Sequence, residues 1–501
     1  MTGSPRHAAV LVIGAGTAGC TLTRRLVDAG CSVILLEAGD QRVREAVTDP
    51  VRMHELWDTS ADWGFRTVPQ EFAHNRRLHL PRGKVVGGSH ALNAMIWVRG
   101  NPADYDTWAY LGNTDWSWAR VKPIFERIEK TQDVLTAYQP HPVHRSIVEA
   151  AVEYGLPYNA DYNGETQDGV SYVQLTVRDG RRLMTADAYL GSVLHDPLLS
   201  LVSSAKVRRL LFDGTRCTGA EYEKDGEVHT VTADRTVLCA GALGSPILLQ
   251  RSGVGDADHL RALDIPVVSA LRGVGRNLQD HWLVPVVLGV DRTVTPVAGL
   301  PVCQSHLFWR SRAELAAPDL QPLMFGASLV TEWMQPPAHG ITFMAGIVRP
   351  ASRGNVRLTV ADPSVDSVAA ADIDPRALSA GEDVDAMVAA VRLCREIAAQ
   401  PALRAAWGAR EVYPASLATT TDLLRDYIRE TVVTYHHQAG TCAMGANEDS
   451  VVDQRLRVHG VEGLWVADAS VMPAVTTGNT NAPVVMIAER AADLLLAGAT
   501  S

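Results

Sequence analysis

The feature that most constrains the fold is a strand–turn–helix–strand unit at the start of the chain. Residues 8–13 form a continuous apolar run, as expected of a strand buried on both faces of a parallel sheet. The glycine-rich turn 14–19 follows, and residues 20–29 then carry the apolar spacing of a helix. Residues 32–36 form a second apolar run that ends at an acidic residue. Two strands joined by a helix in this way predict a parallel sheet with helices packed against it.

The turn matches the pattern Gly-x-Gly-x-x-Gly through Gly14, Gly16 and Gly19. In that pattern the glycines permit a tight turn, close approach of a pyrophosphate and close packing of helix on strand. Glu37 stands 23 residues after Gly14, close to the roughly 20 residues expected for a carboxylate that bonds ribose hydroxyls. The alternative is an ordinary turn with Glu37 as a surface acid. The context favours a dinucleotide site, but it does not distinguish FAD from NAD.

The composition excludes several other classes of protein. The chain has 501 residues, of which 47% are apolar and 20% charged, as in ordinary globular proteins. That length predicts two to four domains of roughly 100–200 residues each. The formal net charge of −10 disfavours nucleic acid and anionic membrane surfaces as partners.

The cysteines and the apolar runs bear on the location of the protein. The seven cysteines are scattered, with no Cys-x-x-Cys pair, so we expect neither a metal site nor a disulfide framework. No run reaches the roughly 18 apolar residues of a membrane span, and we see no signal peptide. We therefore expect a cytoplasmic protein with reduced thiols and no membrane span.

The rest of the chain changes texture along its length. Residues 42–82 are irregular and predict a long surface excursion or lid. Residues 199–231 alternate and contain two hairpin turns, and residues 285–360 predict further antiparallel strands. Residues 104–132 have a largely helical pattern, and residues 383–399 and 484–496 have helical periodicity.

Several further motifs follow in order. They are Leu36-Glu37-Ala38-Gly39, Gly83-Lys84-Val85-Val86-Gly87-Gly88-Ser89 with Asn93 and Val98-Arg99-Gly100, Gly241-Ala242-Leu243-Gly244-Ser245-Pro246 through Ser252-Gly253-Val254-Gly255, and Val274-Gly275-Arg276-Asn277-Leu278-Gln279-Asp280-His281. Together they resemble the glucose–methanol–choline (GMC) flavoprotein oxidoreductases. The resemblance extends from Val10 to about Leu496.

The resemblance implies an α/β fold of the GMC type, with a discontinuous, Rossmann-like FAD-binding domain and a substrate domain with a largely antiparallel sheet. We expect the FAD-binding domain to comprise residues 1–160, 195–280 and 436–501. The substrate domain would comprise residues 281–435 with parts of 161–194. The excursion at 42–82 would cover the flavin or serve a dimer contact.

The resemblance also implies that FAD is the cofactor. The expected FAD-binding residues are Gly14, Ala15, Gly16, Thr17, Ala18, Gly19, Glu37, Ala38, Val86, Gly88, Asn93, Met95, Val207, Asp468, Ala469 and Asn481. Some family members hold the flavin covalently through a histidine just before the asparagine of the first signature. That position is Leu92 here, and His90 lies two residues earlier. We therefore expect non-covalent FAD, with His90 as a packing residue of the loop.

The catalytic base is expected in the run 434–445, which resembles the family's His-Pro-x-Gly-Thr-Cys-x-Met-Gly stretch. Aligning the Gly-Thr pair places the catalytic histidine at His437, with Gln438 where proline is usual and His436 as the alternative. Its partner is expected at Asn479, where the family carries His or Asn. The alternative for Asn479 is a helix cap.

The chemistry explains these residue types. Oxidation of an alcohol removes a hydroxyl proton and a hydride, and flavin N5 accepts the hydride. Histidine titrates near neutrality and serves as a general base, while asparagine donates a hydrogen bond to the developing alkoxide. We therefore expect an FAD-dependent alcohol oxidase or dehydrogenase acting on CH–OH groups. The alternative is a GMC-type flavoprotein with non-redox activity, such as a hydroxynitrile lyase.

The small-molecule substrate stays open among sugars, amino sugars, amino alcohols and aryl alcohols. Five aromatic residues of the expected substrate domain would face a ring, an alkyl chain or a cation, or build the core. They are Phe308, Trp309, Phe325, Trp333 and Phe343. The electron acceptor is oxygen or a quinone-like carrier. Tyr435 favours a carrier, because the family often has a smaller residue at that position beside the flavin edge.

Overall fold

The computed structural model describes residues 6–42 and 44–497. The ends of the expected FAD-binding domain, residues 1–5 and 498–501, and Val43 lie outside the described residues. No helix in the described ranges is long and apolar enough to cross a membrane.

The described residues form 22 strands and 11 α-helices. The strands are β1 (His7–Ile13), β2 (Val33–Leu36), β3 (Phe65–Arg66), β4 (His79–Leu80), β5 (Gly169–Tyr172), β6 (Val177–Arg178), β7 (Arg181–Arg182), β8 (Leu199–Val202), β9 (Lys206–Asp213), β10 (Arg216–Lys224), β11 (Glu227–Leu238), β12 (Val254–Gly255), β13 (Ser269–Ala270), β14 (Trp282–Gly289), β15 (Cys303–Phe308), β16 (Leu323–Phe325), β17 (Gly340–Ile347), β18 (Asn355–Leu358), β19 (Ala371–Asp374), β20 (Arg410–Tyr413), β21 (Val433–Thr434) and β22 (Leu464–Val466). The helices are α1 (Thr17–Asp28), α2 (Glu45–Thr48), α3 (Pro102–Tyr110), α4 (Trp118–Gln132), α5 (Pro142–Tyr154), α6 (Gly241–Arg251), α7 (Ala257–Ala262), α8 (Gly381–Ala398), α9 (Pro401–Trp407), α10 (Thr421–Thr431) and α11 (Asn481–Ala497).

The first large sheet contains the predicted N-terminal unit. Its order is β8-β2-β1-β11-β10-β9, and β22 pairs with β11. Strands β8, β2, β1, β11 and β22 pair in parallel, whereas β9, β10 and β11 form an antiparallel meander. Helix α1 joins β1 to β2, as predicted, and packs against α11.

The parallel strands all end at one edge of this sheet. Gly14 follows β1, Glu37 follows β2 and Asp468 comes two residues after β22. Helix α6 begins at Gly241, three residues after β11 ends. In open α/β sheets ligands bind beyond the carboxyl ends of the strands, so this edge is where a cofactor is expected.

The second large sheet is antiparallel, as the alternating runs predict. Its order is β20-β14-β17-β16-β15-β5, and β21 pairs with β14. Because side chains alternate along a strand, each strand presents two different faces. Trp282, Val284 and Val286 of β14 pack in the hydrophobic cluster that contains α5, α8 and α10. The opposite face of the same strand carries Leu283 and Pro285.

One predicted helical region is divided in two. Residues 104–132 were expected to be largely helical, and they form α3 and α4 with a break between them. Helix α3 begins at a capping box. The Asn101 side chain accepts backbone N–H groups of the first turn, and the Asp104 carboxylate accepts the backbone N–H of Asn101. The break arises at residues 111–117, where Gly112 adopts a positive φ of 99° that ends the first helix.

Candidate active site

A cavity of about 850 Å³ lies between the carboxyl edge of the first sheet and one face of the second. This volume is within the roughly 300–1,000 Å³ typical of small-molecule sites. Its lining comes from the N-terminal turn, the 42–82 excursion, the 83–96 loop, the second sheet and the segments before α11. The irregular excursion therefore borders the cavity.

The glycine turn has the shape that a pyrophosphate requires. Gly14 has a φ of 103°, and a Cβ on Gly19 would lie 1.8 Å from the Gly14 carbonyl oxygen. A Cβ on Gly88 would lie 2.6 Å from the Cα of Gly16, so the 83–89 loop sits directly on the turn. Gly16, Thr17 and Ala18, at the start of α1, line the cavity, and the first N–H groups of a helix have no partner within it. The turn therefore fits a dinucleotide.

Glu37 is buried rather than a surface acid, with an exposed fraction of 6%. Its two carboxylate oxygens accept the backbone N–H groups of Ala15, at 2.9 Å, and of Gly39, at 2.8 Å. Burial raises the pKa of this carboxyl to about 7. The residue therefore shapes the turn, and each of its oxygens retains a lone pair that can accept one further hydrogen bond.

Most of the predicted cofactor residues border the cavity. The lining includes Gly14, Gly16, Thr17, Ala18, Glu37, Ala38, Gly88, Asn93, Met95, Val207, Asp468, Ala469 and Asn481. Ala15, Gly19 and Val86 lie behind the lining. Ala15 accepts the N–H of Gly87, and Val86 donates its N–H to the carbonyl of Asp40. Ala15 thus connects the glycine turn to the 83–89 loop, and Val86 connects that loop to the segment after β2.

Two residues near the C-terminus close the cofactor side. The buried Asp468 carboxylate accepts the N–H of Gly241 at 2.8 Å and the hydroxyl of Ser245 at 2.6 Å. Asn481 begins α11 and donates its side-chain amide to the Thr17 hydroxyl at 3.1 Å. The Asn481 Oδ1 atom is buried without a protein partner. It is therefore an acceptor available to a bound ligand.

His437 and Asn479 lie together in the cavity. The Nδ2 atom of Asn479 is 3.3 Å from Nε2 of His437. The Oδ1 atom of Asn479 accepts a hydrogen bond of 3.0 Å from Nε2 of Gln321, a fully buried side chain. That bond fixes the amide so that its NH₂ group faces His437.

His281 contacts the other nitrogen of His437, with 2.9 Å between their two Nδ1 atoms. Burial lowers the pKa of His281 to about 3 and holds the pKa of His437 well below its ordinary value. Both rings are therefore neutral near pH 7. Because the Asn479 amide only donates, Nε2 of His437 accepts, and its proton lies on Nδ1 facing His281. The lone pair of Nε2 is thus directed at the Asn479 amide, where both residues line the cavity.

Asp280 fixes the backbone of the same segment. Its buried carboxylate accepts the N–H of His437 at 2.9 Å and also bonds the side chains of Thr434 and Gln438. Gln438 replaces the proline expected at its position, and its amide provides one of these bonds. Sequence reasoning missed Asp280 and His281 as site residues, although they end one of the recognised motifs just before a buried strand.

His436 faces a different part of the site. Its backbone adopts a φ of 67°, and its ring packs edge-on against Trp57 of the excursion at 5.2 Å between centroids. Arg82 donates to its carbonyl oxygen. In the structure His437, and not His436, is the histidine in contact with Asn479.

Arg182 is a second residue that the sequence did not reveal. It is buried and donates to the carbonyl oxygens of Val47, His90 and Asn93, and to Oδ1 of Asn93. Burial lowers the pKa of its guanidinium to about 9. This one side chain thereby joins the excursion to the cavity-lining loop. Its signal in the sequence is weak, because it lies in an otherwise polar hairpin.

The five aromatic residues considered for the substrate domain lie in different environments. Phe325 lines the cavity, whereas Phe308 and Phe343 are fully buried in the core. Trp309 is partly buried and packs against the hydrophobic cluster of the second sheet. Trp333 is 41% exposed.

A further cluster of Asp58, Asp62 and His79 brings three ligand-type side chains together, with their ligand atoms within 4.8 Å. Its members already bond one another and Arg66, so hydrogen bonds account for the cluster.

Comparison with known proteins agrees with this geometry. Residues 8–283 match the N-terminal sequence profile described as GMC oxidoreductase, and residues 350–488 match the C-terminal profile of the same description. The chain is 38% identical to choline dehydrogenase, mitochondrial, of Mus musculus, over 97% of this chain and 89% of that protein.

Two further proteins are similar over nearly their whole length. Alcohol dehydrogenase [acceptor] of Pseudomonas putida is 33% identical, over 97% of this chain and 95% of that protein. The crystal structure of pyridoxine 4-oxidase from Mesorbium loti superposes with a TM-score of 0.90 at 33% identity, over 97% of this chain and 98% of that chain.

The contact between Gly16 and Gly88 gives a direct test of the cofactor cradle. Gly88→Ala places a Cβ against the Gly16 backbone, and we expect the purified variant to lose most of its bound flavin. Gly226→Ala is the matched control, since Gly226 also has a positive φ but open space around its Cβ position. Flavin absorbance per chain is the measurement. Full flavin content in Gly88→Ala would contradict the assigned cradle.

Proposed function

The chain belongs to the GMC oxidoreductases, and from that premise we propose that it oxidises the alcohol of a small molecule with His437 as the base and Asn479 as its partner. It is an FAD-dependent enzyme that acts on CH–OH groups. The observation that carries the roles of the two residues is the hydrogen-bonded series His281–His437–Asn479–Gln321, whose two middle members line the cavity.

FAD is the cofactor, and when bound it accepts the hydride from the carbinol carbon. We assign it to the cavity that the glycine turn, Glu37 and Asn481 border. Its attachment is non-covalent in this proposal. His90 is 1% exposed, accepts the N–H of Thr185 and contacts the hydroxyl of Thr176, so both ring nitrogens already have partners. Leu92, at the attachment position, offers no nucleophile.

His437 removes the hydroxyl proton. The substrate hydroxyl takes the place of the Asn479 N–H at the Nε2 lone pair, and the neutral state of His437 persists at ordinary pH because burial disfavours the charged imidazolium. When Nε2 takes the proton, the positive charge is shared along the bond to His281. A general base of this kind contributes roughly 10²–10⁴-fold to the rate.

Asn479 stabilises the oxygen as it loses its proton. With Gln321 holding Oδ1, the NH₂ group of Asn479 faces the space beside His437 Nε2. The amide therefore donates to an alkoxide in that space without changing its own charge. Gln321 acts through Asn479 and is a positioning residue.

The division of labour between the two histidines is testable. We expect His437→Ala to retain FAD but to reduce it at least 10²-fold more slowly with an alcohol under anaerobic conditions, because the base is removed. His436→Asn should cost much less, and asparagine tolerates the positive φ of this position. Stopped-flow absorbance measures both rates.

The reverse ranking of the two variants would assign the base to His436. Turnover without any bleaching of the flavin in the unmodified enzyme would contradict the redox reaction and favour a lyase.

The electron acceptor is oxygen or a quinone-like carrier, and Tyr435 supports a carrier. Its ring is buried, lines the cavity and stacks on His437 at 4.6 Å between centroids. Its hydroxyl donates to the carbonyl of Gln321 at 2.9 Å, which holds the ring in place. In this proposal the fixed ring of Tyr435 fills the space beside the flavin edge, through which oxygen would approach.

We therefore expect the reduced enzyme to react faster with a quinone than with air-saturated buffer in stopped-flow mixing. Tyr435→Val should speed the reaction with oxygen about tenfold by opening the gap, whereas Tyr435→Phe should not. Rapid oxidation of the unmodified enzyme by air, with stoichiometric hydrogen peroxide, would identify an oxidase and overturn the assignment.

The cellular location and the domain boundaries complete the proposal. The location is cytoplasmic, which the free thiols of the seven cysteines support.

The FAD-binding domain comprises residues 1–160, 195–280 and 436–501, and the substrate domain comprises 281–435 with parts of 161–194. The pairing of β5 with β15, which adds residues 169–172 to the second sheet, supports this division. Helix α5 departs from it, because this helix packs with α8 and α9 in the hydrophobic cluster of the second sheet.

A further inference from the structure

We propose that the substrate is an uncharged alcohol whose carbinol carbon carries an apolar chain or ring, rather than an ammonium alcohol or a sugar. This inference rests on the proposed function and names the substrate class of the same site. It follows from the face of the second sheet that borders the cavity, from its connection to His437, and from the charges around it.

Strand register places an apolar wall along the cavity. Pro285 of β14 pairs with Met344 of β17, and Met344 pairs in turn with Leu323 of β16. Residues in register on neighbouring strands share a face. Leu283 and Phe325 extend this face by two positions along their strands, and all five residues line the cavity. We call these five residues the apolar wall.

The apolar wall leads directly to the catalytic pair. Leu283 is two residues from His281, which bonds His437. Leu283 belongs to the same hydrophobic cluster as Tyr435, whose ring stacks on His437. A substrate that presents its hydroxyl to Nε2 of His437 therefore has its carbon skeleton against methyl, methylene and phenyl groups.

The apolar wall offers few hydrogen-bond partners to the hydroxyl groups of a polyol. Thr342 lies on the same face, in register with Phe325, but its hydroxyl already accepts the N–H of Leu329 at 2.8 Å. On the adjoining loop, the buried Oγ1 of Thr331 lacks a protein partner. That oxygen can serve one further polar atom at the far end of a substrate. The several hydroxyls of a sugar would be buried against carbon without partners, which is unfavourable.

The charges around the cavity disfavour an ammonium substrate. Among the described lining residues the carboxylates are Glu37, Asp468 and Glu332. The first two are bonded to backbone on the cofactor side, and Glu332 is exposed on the rim, where it faces Arg76. Arg76, Arg77 and Arg82 also line the cavity. A cationic alcohol would thus meet guanidinium groups in the lining. The buried carboxylate beside His437, that of Asp280, is not among the lining residues and already bonds Thr434, His437 and Gln438.

The test is anaerobic reduction of the FAD-loaded enzyme by four alcohols at matched concentrations, namely 1-hexanol, benzyl alcohol, choline and glucose. We expect 1-hexanol or benzyl alcohol to exceed both choline and glucose at least 10²-fold in reduction rate constant over apparent dissociation constant. Faster reduction by choline or glucose would overturn the substrate class while leaving the proposed function intact. Bleaching by none of a broad alcohol panel would overturn both.

A variant of the wall provides an independent check. Met344→Glu places a carboxylate in the wall, and we expect the ratio of benzyl alcohol to choline efficiency to fall at least tenfold. Met344→Leu keeps the wall apolar and should leave that ratio within about twofold. Flavin content verifies that each variant is folded. An unchanged ratio in a flavin-loaded Met344→Glu enzyme would contradict a role for the wall in specificity.

Discussion

The site depends on the contact of two consecutive residues, Asp280 and His281, with the segment 434–438. Asp280 accepts the backbone N–H of His437, and His281 bonds the imidazole of the same residue. The backbone and the ring of His437 are therefore held from one point of the chain. Because β14 begins at Trp282, the same point anchors the second sheet. Any displacement of this strand would move the base and the substrate wall together.

Burial determines the chemistry of this contact. An imidazole in water carries a proton during part of the physiological pH range, but desolvation holds the pKa of His437 well below its ordinary value. The neighbouring His281 and Arg82 act in the same direction, since each disfavours another positive charge. Asp280, 2% exposed, has a pKa raised to about 6 by its own burial. His437 is therefore a neutral base. Its tautomer is set by the accepting Nδ1 of His281 on one side and the donating amide of Asn479 on the other.

The two sheets contribute different halves of the site for a physical reason. A parallel strand ends in a turn at one edge, so the first sheet presents glycines and acids there, such as Gly14 and Glu37. An antiparallel strand alternates its side chains, so β14 and β17 present one face to the helices and the other to the cavity. The cofactor side of the cavity is therefore made of turns, and the substrate side is made of a sheet face.

Local pattern was sufficient to predict much of this arrangement. The unit around Gly14 and Glu37 has a fixed length and a fixed order of elements, and the structure has the predicted strand, helix and strand. His437 and Asn479 were found through the motifs around them, and their meeting in one cavity agrees with that prediction. Their chemical roles stay predictions until kinetics test them.

The remainder could not be read from local pattern. Gln321 and Arg182 act through partners more than 80 residues away, and such long-range hydrogen bonds leave no periodic signal. The apolar wall depends on strand register, since a shift of one residue would turn Leu283 toward the helices. The break between α3 and α4 depends on a few turn residues inside an otherwise helical composition.

The central claim is that a neutral, buried His437 takes the hydroxyl proton, and the pH dependence of anaerobic flavin reduction tests it most directly. A base with a lowered pKa is fully deprotonated above that pKa and loses activity only as the pH falls through it. With the alcohol that reduces the enzyme fastest, the limiting rate constant should be constant from about pH 6.5 to 9, and any decline should appear at more acidic pH. A rate constant that instead rises continuously between pH 6.5 and 9 would show that the base is still protonated in that range, and would contradict the account.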